Sequence, residues 1–86
     1  MTVYLVDEPN LSIALEYASE DKEARLVLLQ DAVYGASKAK IRGAVYAIDK
    51  DVARRGLGAR IPASVKVIGY PELVQMMESE KVVNFL

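Results

Sequence analysis

Leu26-Val27-Leu28-Leu29 and, starting nineteen residues further on, Val45-Tyr46-Ala47-Ile48 are apolar at successive positions, with no polar residue alternating between them. A strand with one face in water alternates apolar and polar residues, whereas a strand covered on both faces of a parallel sheet reads as a continuous apolar run. These two runs therefore predict central strands of a parallel sheet with helical layers. Working outward, Val3-Tyr4-Leu5-Val6 and Val65-Lys66-Val67-Ile68 are two further runs. Lys66 inside the last one marks it as an edge strand. The tail Val82-Val83-Asn84-Phe85-Leu86 is placed either as a final strand or against the sheet edge.

The segments between the runs have helical spacing. Leu11, Ala14, Leu15 and Ala18 form one apolar stripe, with Asn10 placed to cap its start. After the fourth run, Pro71 suits a first helical position, and Leu73, Met76 and Met77 continue as core-filling residues to about Ser79. Asp49 is placed to cap a short helix through Val52, Ala53 and Arg55 that stops at Gly56 or Gly58. Residues 31–41, interrupted by Gly35, read as a short helix or an irregular connection. Run starts at 3, 26, 45 and 65 are spaced by 23, 19 and 20 residues, yet no leucine-rich repeat signature accompanies that spacing. The alternation predicts an α/β fold: one domain over residues 1–86, a three-layer α/β/α sandwich with a four- or five-stranded, mainly parallel sheet.

Composition narrows the chemistry. The 86 residues include no cysteine, histidine or tryptophan, which removes thiolate nucleophiles, disulfides, the commonest metal ligand and the commonest general base. At this length roughly 60–65% of the unfolded surface can be buried, enough for one modest core. No run approaches the ~18–20 apolar residues of a membrane span, and Met1–Asp7 lacks the features of a signal peptide. These features predict a cytoplasmic protein without membrane contact.

In open parallel sheets ligands bind beyond the carboxyl ends of the strands. Those ends carry Asp7 and Glu8, Gln30 and Asp31, Asp49 and Asp51, and Tyr70. The carboxylates are read as helix caps, with a magnesium site the competing reading. No phosphate-binding glycine loop is present, and no cofactor is expected. Net charge is −1, but residues 38–66 hold eight of the eleven basic side chains. Lys38, Lys40, Arg42, Lys50, Arg54, Arg55 and Arg60 lack interleaved aromatic stacking platforms, so they are read as a solvated surface. Tyr46 is expected within the sheet. Val33 and Tyr34, on the 31–41 connection, are expected at a subunit interface.

Three segments, Leu26-Val27-Leu28-Leu29-Gln30-Asp31-Ala32-Val33, Val45 through Leu57, and Val67-Ile68-Gly69-Tyr70-Pro71-Glu72-Leu73-Val74, together resemble the DsrH/TusB branch of the DsrE/DsrF/DsrH-like sulfur-relay proteins. The resemblance spans about residues 24–77. It implies a small α/β/α subunit assembling with DsrE-like and DsrF-like (TusD- and TusC-like) paralogues, in a relay serving tRNA wobble-uridine 2-thiolation or sulfur oxidation. Some members carry a cysteine that holds sulfur. This chain has none, so the expected role is a non-catalytic subunit with no catalytic, cofactor or metal residue, no direct tRNA contact, and a homodimeric state in isolation. The alternative is a free-standing homodimeric module binding an anion, metal or small ligand at the sheet's carboxyl edge. A third reading, an enzyme using Asp7, Asp31 and Asp49 with Mg²⁺, ranks below both because capping accounts for the same residues.

Overall fold

A computed structural model describes residues 1–86. Five strands, β1 (Thr2–Val6), β2 (Ala24–Leu28), β3 (Ala44–Ile48), β4 (Val65–Ile68) and β5 (Lys81–Phe85), form one sheet in the order β4-β3-β2-β1-β5. Every pairing is parallel. The continuous apolar runs do occupy interior strands, because β2 and β3 are covered on both faces. Val65-Lys66-Val67-Ile68 is the edge, with Lys66 and Val67 exposed. The tail is a full strand beside β1, on the other edge.

Handedness decides which face each connection covers. The steps β1→β2→β3→β4 all progress the same way across the sheet, so right-handed crossovers place their connections on one face. That layer comprises α1 (Leu11–Ala18), a 3₁₀ helix (Gln30–Lys38) and α2 (Asp49–Arg54). Leu11, Ala14, Ala32, Val33 and Val52 from these segments pack with Val6, Leu26, Leu28, Val45 and Ala47 of the sheet. The return step β4→β5 reverses direction, and the same handedness puts α3 (Tyr70–Ser79) on the opposite face. There Leu73 and Met76 meet Val3, Leu5, Val27, Ile48 and Ile68. Each fully buried Leu, Ile or Val contributes roughly 1.5–3 kcal/mol.

Two glycines allow close approach. A Cβ on Gly43 would strike the Ala24 backbone carbonyl where β3 enters beside β2, and one on Gly35 would strike the Leu11 side chain of α1. Gly35 thus does not break the 31–41 connection but lets it lie against α1, and the connection is a nine-residue 3₁₀ helix.

Several expectations need correction. Val33 is only 1% exposed and belongs to the core, because the 3₁₀ helix turns Ala32, Val33 and Ala36 toward β2 and β3. Tyr34 is 61% exposed and alone of that pair offers a surface. Met77 is not core-filling: α3 buries Leu73 and Met76, and the 100° step past Met76 leaves Met77 38% exposed. Asn10 does not cap α1 through its side chain, which instead reaches Phe85 on the last strand.

Candidate functional site

Of the carboxylates expected as caps at the carboxyl edge, Asp31 and Asp51 join elements instead. No helix has a side-chain cap at its N-terminus. Asp49 lies inside the first turn of α2, where its Oδ1 accepts the Lys50 backbone N–H at 2.6 Å. Asp51, one turn into the same layer, is only 2% exposed, and its Oδ2 accepts the Gln30 backbone N–H at 2.9 Å. Arg55 then spans the gap. Its Nε donates to Asp31 Oδ1 at 3.0 Å, and its Nη1 donates to the Asp51 carbonyl at 3.2 Å and lies 3.6 Å from Asp51 Oδ1.

This latch joins the start of the 3₁₀ helix to α2. It also holds Gln30 at φ 52°, the left-handed region where a non-glycine residue is strained. The physical logic is direct. The chain must turn sharply off the end of β2 to lie back on the sheet, and the buried carboxylate of Asp51 compensates the turn by taking an amide that the strand ladder leaves free. Asp51 and Arg55 are four residues apart on one helix face, a signal that was readable as an ion pair. The partner segment, 20 and more residues upstream, was not.

Electrostatics here are those of a closed circuit. Asp51 and Arg55 are the inner pair, and Asp31 is the outer, solvent-facing carboxylate. Arg55 engages one oxygen of Asp31 and the Asp51 carbonyl, and Asp31 Oδ2 is left to solvent. Asp7, Asp31 and Asp49 are not brought together, and no three acidic side chains converge with metal-ligand geometry.

The strand order reverses between β1 and β5, which is where a ligand crevice would open. The chain itself fills it. Asn10 Nδ2 donates to the Phe85 carbonyl at 2.9 Å, the Asp7 N–H approaches the same oxygen at 3.4 Å, and the Phe85 ring lies between Tyr4 and Tyr17 with centroids 6.4 and 5.7 Å away. The three cavities of the molecule open elsewhere, the largest under α3 and the other two near the N-terminal ends of β2 and β3. The carboxyl edge therefore does not hold the pocket expected of a small-ligand module.

The basic residues do not converge either. Lys40 and Arg42 precede β3, Lys50 and Arg54 lie on α2 beyond its other end, and Arg55 is consumed in the latch. Tyr46 is half-buried and packs against the core on the α3 face. The exposed apolar residues include Ile13 and Tyr17 on α1, Tyr34 beside the latch, Val67 on the β4 edge, and the outer stripe Tyr70, Val74 and Met77 on α3. Sequence reasoning missed that stripe. Its i, i+4, i+7 spacing was present but was absorbed into the buried pattern of Leu73 and Met76.

An open, all-parallel five-stranded sheet with connections on both faces defines the class: a small α/β domain whose carboxyl-edge switch point is filled by its own chain. The family described as DsrH like protein matches residues 6–83, and the chain belongs to that family. Among solved structures, the crystal structure of the ychN protein from E. coli is similar in fold, with a TM-score of 0.71 at 18% identity, covering 98% of this chain and 97% of that one. No curated protein matches the sequence. No helix is long and apolar enough to cross a membrane.

Proposed function

We propose that this chain is a non-catalytic subunit of a cytoplasmic sulfur-relay assembly, bound to DsrE-like and DsrF-like (TusD- and TusC-like) paralogues and supporting either 2-thiolation of the tRNA wobble uridine or sulfur oxidation. The observation that carries the reading is the family match over residues 6–83 in a chain without a single cysteine. A persulfide needs a thiolate sulfur, and no other side chain replaces it. The role left to such a subunit is to hold the partners that do carry sulfur. The closed latch and the filled crevice support the same reading, because Asp31, Asp51, Arg55 and Asn10 are engaged in internal contacts at that edge.

In this reading Tyr34 docks the partner. It stands on a segment pinned by Asp51 and Arg55, so little conformational entropy is lost when the ring is covered. The same surface closes a homodimer when the chain is alone.

The test is co-expression with the DsrE-like and DsrF-like paralogues of the same genome, followed by light scattering and intact mass. A stable mixed complex is expected, with labelled sulfur from a desulfurase and cysteine appearing on a partner and the mass of this chain unchanged. Tyr34→Glu should release it. A covalent sulfur on this chain would overturn the role, and a Tyr34→Glu variant that assembles as well as the wild type would overturn the placement of the interface.

A further inference from the structure

The sheet ends on two edges that are protected to different degrees. β4 carries the exposed Lys66 in its interior, and a charge there deters a further strand. β5 reads Lys81-Val82-Val83-Asn84-Phe85, with its single charge at the first position and no proline. Its outer side is open to pairing. A residue in a parallel strand turns its N–H and C=O to one side, and successive residues alternate. The Phe85 carbonyl faces the Asp7 N–H, so Phe85, Val83 and Lys81 bond inward to β1, while Val82 and Asn84 present their N–H and C=O outward.

Both helical layers turn apolar residues toward this edge. On the α3 face, Glu72, Gln75 and Ser79 border the groove over Tyr46 and Lys66, and Leu73 and Met76 point down onto the sheet. The 100° step then sets Tyr70, Val74 and Met77 on the opposite flank, the β5 side. Val82 joins them, because it shares the face of its register partner Val3 in the α3-side core. On the other face, Tyr17 reaches the Phe85 ring, and Ile13 lies one turn before it on α1. Six of the ten exposed large apolar side chains thus gather at one edge.

We propose that β5 pairs antiparallel with β5 of a second copy across a two-fold axis at Val83, joining the two sheets into one. The strand is complementary to itself. With Val83 opposite Val83 of the second copy, Val82 faces Asn84 and Asn84 faces Val82, so every outward N–H and C=O of the strand meets a complement. A slip of two residues either way sets Val82 or Asn84 against residues beyond the strand. Charge agrees with the same register: each Lys81 stands opposite a Phe85 ring, and the two Lys81 residues lie roughly 14 Å apart, beyond the screening length. The axis is perpendicular to the sheet, so like faces meet. The α3 flank of one copy faces that of the other over the Val82 side chains, and the Ile13–Tyr17 flank faces its counterpart over Phe85. The contact is separate from the Tyr34 surface, whose 3₁₀ helix packs on β2 and β3, and it is independent of the relay reading.

The experiment is sedimentation equilibrium of the full chain carrying Tyr34→Glu, in which the Tyr34 contact is absent and the β5 contact is read alone. A dimer is expected at micromolar concentration. Adding Val82→Lys, at an exposed position, should raise its dissociation constant at least about tenfold by placing charge where the strands pair, with circular dichroism recorded to confirm folding. Because the chain has no cysteine, an introduced thiol reports a single position. Val83→Cys should form an inter-chain disulfide with oxidised glutathione, since partners in a non-hydrogen-bonded antiparallel pair have Cα atoms about 4.5 Å apart, within disulfide range. Val67→Cys on the β4 edge should not, and this pair of variants decides if Val82→Lys does not fold. A monomeric Tyr34→Glu chain, unchanged association with folded Val82→Lys, or cross-linking no greater at position 83 than at 67 would each overturn the proposal. Protection of the Val82 and Asn84 amides only after a paralogue is added would also overturn it, by giving the edge to a different chain.

Discussion

Replacing Asp51 by alanine tests the latch at its inner member. The Gln30 N–H would lose its only acceptor in a partly buried position, which costs roughly 1–3 kcal/mol. The Arg55 contact at 3.6 Å adds at most about 1 kcal/mol, because Arg55 keeps Asp31 at the surface. Together the loss is about 1–4 kcal/mol, and for a domain of this size each kcal/mol lowers Tm by roughly 4–8 °C, so a fall of at least ~4 °C is expected. Asp51→Asn retains an acceptor oxygen for the Gln30 amide and should cost less than half as much. Urea unfolding followed by far-UV circular dichroism measures both. A double-mutant cycle with Gln30→Gly separates the amide bond from the strain. Glycine occupies φ 52° without penalty, so part of what Asp51 does is no longer needed, and a coupling of at least ~0.5 kcal/mol is expected. An Asp51→Ala variant within ~0.5 kcal/mol of wild type, or a cycle with no coupling, would refute the assignment of Asp51 as the group that holds the turn.

Gly43→Ala should cost about 1–3 kcal/mol and more than Gly35→Ala, because the first new methyl meets the Ala24 backbone and the second meets a leucine side chain that can rotate; chemical denaturation of the pair gives the order, and a reversed order contradicts it. Tyr4 has its hydroxyl pKa raised, first by burial and second by the negative charge of Asp21. The unfolded chain therefore gives up this proton first, so stability is unaffected below the unfolded value near 10 and falls as pH rises from there toward the folded pKa. Urea midpoints compared between about pH 9 and pH 11 should drop less in Tyr4→Phe than in wild type, and equal drops would remove Tyr4 as a source of the alkaline loss.

What was legible in the sequence follows from how far each interaction reaches. Strands β2 and β3 announce themselves because burial on both faces removes every polar residue from Leu26–Leu29 and Val45–Ile48. Lys66 and the 3.6-residue stripe of α1 are equally local signals, and the edge and the helix fall where they predict. The latch is not local. Asp51 meets Gln30 across 21 residues, and Arg55 meets Asp31 across 24, so capping was the nearest local use for those carboxylates and tertiary pairing displaced it. Asn10 shows the same displacement, since the Phe85 carbonyl it binds lies 75 residues away and exists as a target only once β5 has paired with β1. Val33 and Met77 failed for a different reason. Whether an apolar residue on a short helix faces in or out depends on the rotation of that helix over the sheet, and a 3₁₀ turn shifts that rotation relative to an α-helix.

The two faces of the sheet have different fates for one topological reason. Three connections crowd the face reached by the forward steps, so their turns must be tied to one another, and Asp31, Asp51 and Arg55 are used up in doing so. One return helix serves the other face, so its polar residues have no neighbouring layer to bind, and Glu80 is left with an unpaired oxygen beside an open corner. The same return step makes β5 the neighbour of β1, and Asn10, Tyr17 and Phe85 close the crevice that the reversal of strand order would otherwise open. A fold that in general binds ligands at its carboxyl edge thus has the crevice of that edge filled by its own chain. The exposed Tyr34 ring and the groove beneath α3 therefore lie on opposite sides of the sheet, so a substitution at one leaves the other undisturbed.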